Sequence, residues 1–304
     1  MDLRWERCIP VYNITFNEVK KIFIDFNPHL IVKEYKLVTI GGMNSNYIVS
    51  TNIGNYFLRI TPKSSKGYKN ELRSYLILKN IVNVPAPVYV KVYDKFNTII
   101  YEYINGVSLQ GVSLTDKIIK QVSEDIAKIH NVSKDVYSEY ELFEYPALET
   151  WYDLFLSNDR AKDRLGEDIV NRVKKLISAK NQELKIIDSY KAYTHSDFRP
   201  SNMIITKEGN IFYIDWEFGN YGHVLGDIGQ FFRFDEDFSW DKINIFEEKY
   251  NEISRFDLPE NWYELAKLRD LINPLQMLGA EGEAPIKYRD LRNIVIKTLI
   301  FFGF

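Results

Sequence analysis

The stretch "YTHSDFRPSNMIITKEGNIFYIDWEF", residues 193–218, limits the possible folds more than any other part of the chain. Two short runs of β-formers, Met203–Thr206 and Ile211–Ile214, flank Lys207-Glu208-Gly209-Asn210, whose Gly and Asn mark a hairpin loop. If Thr206 pairs with Ile211, the register runs back until Asn202 lies opposite Asp215. Directly opposed residues on antiparallel strands hold their Cβ atoms about 5 Å apart. An amide oxygen and a carboxylate then converge at the open end of the hairpin, with Asp197 on the loop just upstream. Two hard oxygen donors at that spacing suit Mg²⁺, which keeps the rest of its shell for water and phosphate.

Around this hairpin the chain divides into unlike halves. An opening helical pattern, "FNEVKKIFIDF", is ended by Pro28. The runs "YKLVTI", "NYIVST" and "YFLRI" follow, rich in β-branched and aromatic residues and separated by "GGMNS" and "NIGN". A helix, "YKNELRSYLILKN", precedes two more strands, "APVYVKVYD" and "NTIIYEYI". Beyond them helical spacing takes over. Ile118, Ile119, Val122, Ile126 and Ile129 share a face behind Thr115 or Asp116 as N-cap. "WYDLFLSN", "EDIVNRVKKLISAKN", "WDKINIFEEKYNEI", "NWYELAKLRDLIN" and "YRDLRNIVIKTLIFF" also read as helices. The expectation is an α+β chain of two lobes: a small antiparallel-sheet lobe over residues 1–104 and a larger, mainly helical lobe over 105–304. A ligand would sit between them.

At 304 residues, 45% of them hydrophobic, the chain can bury a core in each lobe. A net charge of -3 argues against a nucleic-acid-binding surface. The one cysteine, Cys8, permits no internal disulfide and fits a reducing compartment. The start of the sequence has no signal-peptide core, and no apolar run reaches the roughly 18 residues of a membrane span. A cytoplasmic protein is expected.

On this layout "HSDFRPSN", His195–Asn202, matches the catalytic-loop pattern H-x-D-x-x-x-x-N, in company with "YIDWE", "GDIG" at 226–229 and "VPAP" at 84–87. Over roughly residues 35–235 the chain resembles the aminoglycoside phosphotransferase and choline kinase superfamily, which has a protein-kinase-like fold. The resemblance implies an ATP- and Mg²⁺-dependent kinase of small hydroxyl-bearing molecules. Asp197 would then accept the proton of the acceptor hydroxyl, while Asn202 and Asp215 would hold Mg²⁺ against the phosphates. His195 would support the loop and Asp227 would brace it, although Asp227 reads equally as a helix N-cap. His130, closing its helix in "AKIHN", reads as a satisfied structural histidine.

The same resemblance gives the nucleotide clamp to the sheet lobe. "TIGGMNSNY", residues 39–47, stands where kinases place a loop over the phosphates. Gly41 and Gly42 permit close backbone approach there, and Asn44 and Ser45 carry donors. Without the pattern G-x-G-x-x-G it also reads as a plain hairpin turn. Arg59 takes the place of a phosphate-pairing lysine, with Glu71 as its partner. Glu102 to Ile104 resembles the hinge that meets the adenine edge, with Gly106 ending the strand.

"DWEF" replaces Asp-Phe-Gly, no Ala-Pro-Glu follows, and 89 residues remain after Asp215, so a small acceptor is expected rather than a peptide. Aminoglycosides and choline are cations. Asp235, Glu236 and Asp237 in "FRFDEDFSW" and Glu281 and Glu283 in "GAEGEAP" offer a wall for one, near Trp240, Trp262 and Tyr288 in sequence; they read equally as solvated acidic loops. "YELFEYPALETWYDLF" is a third candidate. The resemblance favours an aminoglycoside-phosphotransferase-like enzyme, with a choline- or homoserine-type kinase as the close alternative and a nucleotide-binding pseudokinase as the rival, though retention of Asp197, Asn202 and Asp215 speaks against the last.

Overall fold

Thr15 begins the first helix, α1 (Phe16–Phe26), with a capping box. Its hydroxyl accepts the Glu18 N–H, and the Glu18 carboxylate accepts the Thr15 N–H in return, satisfying two donors that a helix end leaves orphaned. The computed structural model describes residues 5–7, 9–39, 42–137, 140, 142–143, 145–234 and 238–304.

Strands β1 (Val32–Val38), β2 (Ser45–Thr51), β3 (Asn55–Pro62), β4 (Pro87–Val92) and β5 (Phe96–Glu102) form one antiparallel sheet in the order β1-β2-β3-β5-β4. Along β2 buried and half-buried residues alternate, as the two-residue period of a strand requires. Val49 of β2, Leu58 and Ile60 of β3 and Ile100 of β5 share one core with Phe23 of α1. Helix α2 (Gly67–Leu78) lies between β3 and β4 in sequence and carries Glu71 inward.

Among the described residues the remainder is largely helical. After β6 (Gly106–Ser108) come α3 (Asp116–His130), α4 (Lys134–Tyr137), α5 (Leu148–Ser157), α6 (Asp159–Leu165), α7 (Glu167–Ala179) and α8 (Asn181–Ser189). Four short strands follow: β7 (Lys191–Thr194), β8 (Met203–Thr206), β9 (Ile211–Tyr213) and β10 (Asn220–His223). They pair as β6-β8-β9 and β10-β7. The chain closes with α9 (Val224–Phe231), α10 (Trp240–Ile253), α11 (Trp262–Asp270), α12 (Ile272–Leu278) and α13 (Pro285–Phe301). The architecture is α+β, a five-stranded sheet lobe joined to a helical lobe.

Three expectations need correction. The hairpin register is off by one. Thr206 bonds back to Asn210, and Gly209 adopts φ 88°, so the loop has three residues with glycine in the left-handed position. Met203 therefore faces Tyr213, and Asn202 meets Ile214 through a 3.0 Å backbone bond, not Asp215. Asp215 stands one residue further on with φ 68°, a left-handed turn that redirects its side chain out of strand geometry. "NWYELAKLRDLIN" breaks into α11 and α12, because Pro274 has no N–H to continue the ladder and sits in the first turn of the second helix. Asp227 lies inside α9 and is not its N-cap, the place held by His223.

Helices α9 and α11 touch where Gly229 has no side chain; a Cβ there would stand 2.2 Å from the Ala266 carbonyl oxygen. Gly229→Ala is expected to lower stability by about 1–3 kcal/mol through forced separation of the helices. The measurement is the urea midpoint, and an unshifted midpoint would refute the tight crossing.

Candidate active site

The loop after β7 is held from below by a buried carboxylate. Asp227, 1% exposed, accepts the His195 N–H at 2.7 Å and the Ser196 N–H at 2.8 Å. Those bonds fix Ser196 at φ 65°, where a residue with a Cβ rests at a cost. His195 is buried and faces two backbones: Nδ1 accepts the Asp197 N–H at 3.3 Å. The proton must then reside on Nε2, which donates to the Ile214 carbonyl at 2.9 Å. His195 thus ties the loop to the residue before Asp215. The other end is tied by Asn202, whose Nδ2 donates to the Asp197 carbonyl at 2.9 Å and to its Oδ2 at 2.8 Å. The amide's own oxygen is left as its acceptor.

Asp197 also faces Arg199, with Nη2 donating to Oδ2 at 3.0 Å and Nε 2.8 Å from Oδ1. Burial opposes ionisation of Asp197, but the Arg199 guanidinium outweighs it and holds the carboxyl below its usual range. At neutral pH Asp197 is therefore an ionised, proton-accepting group.

Asp215 belongs to a second cluster. The buried Arg59 of β3 pairs with Glu71 of α2, and its Nη1 also lies 2.8 Å from Asp215 Oδ1. Burial disfavours the Arg59 charge, yet Glu71 and Asp215 more than restore it, so its pKa rises. The Tyr101 hydroxyl donates to Glu71. Glu71, Asp215 and Glu217 each bring one oxygen within 4.8 Å of the others. Burial and the Asp215 charge push Glu217 up to about 7.

The sign of that shift makes a prediction. Between about pH 4.5 and 7 the folded state holds a proton on Glu217 that the unfolded state has lost, so stability falls as pH rises through this window. The loss is up to about 3 kcal/mol. Melting temperature against pH should decline more steeply in wild type than in Glu217→Gln; parallel curves would contradict the buried, charge-crowded setting.

A cavity of about 270 Å³ lies between the lobes. Val38, Ile48 and Phe57 line it from the sheet and Ile204 and Ile214 from the helical lobe, with the Glu102–Ile104 segment, Arg59, Glu71 and Asp215 also on its wall. An apolar slot carrying a few convergent charged groups is the usual form of a small-ligand site. The residues matched by the model of the phosphotransferase enzyme family are 34–260, which span the sheet, the cavity and both clusters. The chain belongs to this phosphotransferase family.

Two curated relatives are similar to part of the chain. It is 24% identical over 190 residues to a LicA homolog of Metamycoplasma hominis, covering 58% of this chain and 64% of that protein. It is also 24% identical over 174 residues to ethanolamine kinase 2 of Mus musculus, covering 54% and 42%. The matches thus span less than two thirds of those relatives' lengths. Solved structures share the fold over nearly the whole chain. A microcompartment-associated aminopropanol kinase has a TM-score of 0.71 at 15% identity, covering 94% of this chain and 95% of that one. Spectinomycin phosphotransferase in complex with ADP and spectinomycin has 0.70 at 14%, covering 94% and 99%. Choline kinase from Cryptosporidium parvum has 0.64 at 16%, covering 89% and 90%.

In this phosphotransferase-family chain the sequence-expected residues are not all together. Asp197, Asn202 and His195 share one hydrogen-bonded loop, and Arg59, Glu71 and Asp215 another cluster. Gly42, Asn44 and Ser45 do not line the cavity. A Cβ on Gly42 would meet nothing within 4 Å, so packing does not require glycine there. Asn44 donates to Glu217 Oε2 at 3.2 Å, and the Ser45 hydroxyl accepts the Tyr12 N–H at 2.8 Å. Glu281 is exposed and pairs with Arg160, and Glu283 is exposed nearby. Trp262 is core, and Tyr288 is buried with Arg164 over its ring, so neither offers an open face to a cation. Trp240 is exposed. Gly41, Asp235, Glu236 and Asp237 lie outside the described residues.

Two participants escaped the sequence reading. Arg199 sits inside the loop motif at an unfixed position, and Glu217 lies two residues past Asp215 in "DWE", where an acid spaced to join the first was a usable signal. Among the described residues no helix is long and apolar enough to cross a membrane.

Proposed function

We propose that this chain transfers the γ-phosphate of ATP to a hydroxyl of a small amine-bearing molecule. The observation that carries the reading is the join between the two clusters: Asn202 clasps Asp197 by its side chain and receives the Ile214 N–H at its backbone, next to Asp215. Asp197 would accept the proton of the acceptor hydroxyl, and Arg199, paired with it, keeps it ionised for that purpose. Asn202 has an amide oxygen and Asp215 a carboxylate, the donor chemistry of Mg²⁺, with Glu217 beside Asp215. Asn202 and Asp215 would hold that ion, whose charge would offset that of the phosphates. Arg59 would pair with phosphate oxygens, and the apolar slot with the Glu102–Ile104 backbone suits an adenine. An amine-bearing alcohol is favoured because aminopropanol, ethanolamine, choline and spectinomycin, the compounds named for the similar proteins, all carry nitrogen beside hydroxyl.

The test follows ADP release from Mg-ATP across a panel of ethanolamine, aminopropanol, choline, spectinomycin and uncharged alcohols such as glycerol. Release with one or more amines and none with uncharged alcohols is expected. Mg-ATP binding without release across the panel would move the reading to a nucleotide-binding regulator.

A further inference from the structure

Residues Trp5–Arg7 and Ile9–Tyr12 together reach both lobes. At one end they grip the start of α13 in the helical lobe. That helix begins at Pro285 with Ala284 before it and has no side chain of its own as cap. Glu6 takes that part from 280 residues away: its carboxylate accepts the Ile286 N–H at 2.9 Å and the Lys287 N–H at 3.1 Å. These are donors that a helix start leaves without partners, and the positive end of the helix dipole favours the carboxylate's charge. Trp5 Nε1 donates to the Asp290 carboxylate one turn on, at 3.1 Å, and the Lys287 ammonium lies 5.6 Å from the Trp5 ring centre.

The other end grips the loop between β1 and β2 in the sheet lobe. Arg7 Nη2 donates to the Asn44 carbonyl at 2.7 Å while Nε donates to the Ile9 carbonyl at 3.2 Å. The Ile9 N–H donates to the Gly42 carbonyl at 3.2 Å, and the Tyr12 N–H to the Ser45 hydroxyl at 2.8 Å. Asn44 then donates to Glu217 in the carboxylate cluster, so a continuous line of bonds runs from the N-terminus of α13 to the edge of the site. Glu6 and Arg7 are adjacent in sequence yet hold different lobes.

We infer that Trp5–Arg7 and Ile9–Tyr12 form an interlobe strap that holds the residue 42–45 loop, which does not itself line the cavity, beside the carboxylate cluster through Asn44, with Glu6 and Arg7 as positioning residues for ATP. The consequence for ATP rests on the function proposed above; the tether itself does not. Because a strap transmits only when both ends hold, cutting the far end at Glu6 frees the loop as fully as cutting the near end at Arg7, although Glu6 touches nothing in the loop. A residue that merely stabilises α13 has no such reach.

The experiment compares full-length wild type, Glu6→Ala, Arg7→Ala, the double variant and the conservative Glu6→Gln, which keeps one acceptor oxygen for α13. Hydrogen exchange at residues 42–48 without nucleotide reads the tether, and KM for ATP against kcat reads its consequence. Faster loop exchange in both single variants is expected. KM for ATP should rise about ten-fold, the factor that one lost anchor is worth, with kcat little changed. The double variant should be no worse than the poorer single, since both cut one connection. Glu6→Gln should recover part of the protection, which also separates loss of the strap from loss of the fold. Loop exchange unchanged in Glu6→Ala, or effects of the two variants that simply add, would overturn the strap whatever the ATP result. Faster loop exchange in a protein whose wild type shows no affinity for Mg-ATP would leave the tether standing and overturn the ATP role.

Discussion

Replacing Asp197 by Asn is expected to lower phosphoryl transfer about 10³-fold while leaving the Mg-ATP thermal shift largely intact. The substitution nearly preserves shape. An asparagine oxygen can still receive the Arg199 and Asn202 donors that now reach Oδ2 at 3.0 and 2.8 Å; its amide nitrogen replaces the oxygen 2.8 Å from Arg199 Nε, so that one contact is lost while the tie to Asn202 keeps the loop on its course. What disappears is the negative charge and with it the ability to take a proton from a hydroxyl, the one chemical task that neither Arg199 nor Asn202 can assume. Asp197→Ala serves as the harsher control. It leaves the Arg199 guanidinium without its carboxylate and should add a loss of melting temperature to the loss of rate. Turnover of Asp197→Asn within a few fold of wild type would exclude Asp197 as the proton acceptor, and the proposed mechanism with it.

Much of the architecture was legible where local chemistry decides it. The first helix and α3 announce themselves by period, because one face of each is buried and the other is wet; β2 alternates buried and half-buried residues, and β3 and β5, buried on both faces over much of their length, show in their β-branched and aromatic composition. The hairpin register was not legible. Gly209-Asn210 is compatible with a three- or a four-residue loop, and which glycine conformation wins is settled by pairing across the sheet. α9 was read only as the motif "GDIG" because every residue from Val224 to Phe231 is buried, and a helix without a wet face has no amphipathic signal. Trp262 and Tyr288 looked like ligand contacts because acids stand near them in sequence, yet packing draws both into the core. Glu6 and Trp5 carry no local sign at all, since their partners are some 280 residues away.

Asp227 is the point at which fold and site depend on one side chain, and Asp227→Ala should cost on the order of 4 kcal/mol. Its two carboxylate oxygens take the His195 and Ser196 N–H groups at 2.7 and 2.8 Å, beneath a loop in which His195 is buried and Ser196 half-buried. Each buried donor left without an acceptor carries a penalty of about 1–3 kcal/mol. His130, whose Nε2 is 3.4 Å from the same carboxylate, loses a second-best contact but keeps the Tyr250 hydroxyl at 2.8 Å. The melting temperature should therefore fall by roughly 6 °C. A helix N-cap would have cost about 1 kcal/mol, so the size of the effect separates the two readings of this residue. The backbone adds a further, less obvious consequence. Ser196 is held at φ 65° against its own preference, and the Asp227 bonds are what hold it. Ser196→Gly removes that preference, so it should give wild type more stability than it restores to Asp227→Ala, where the released loop can already leave the left-handed turn; the hydroxyl contacts to Tyr145 and Thr194 are forfeited in both backgrounds. An equal gain in both backgrounds would mean that the loop's left-handed turn is set elsewhere and that Asp227 only fills space beneath it.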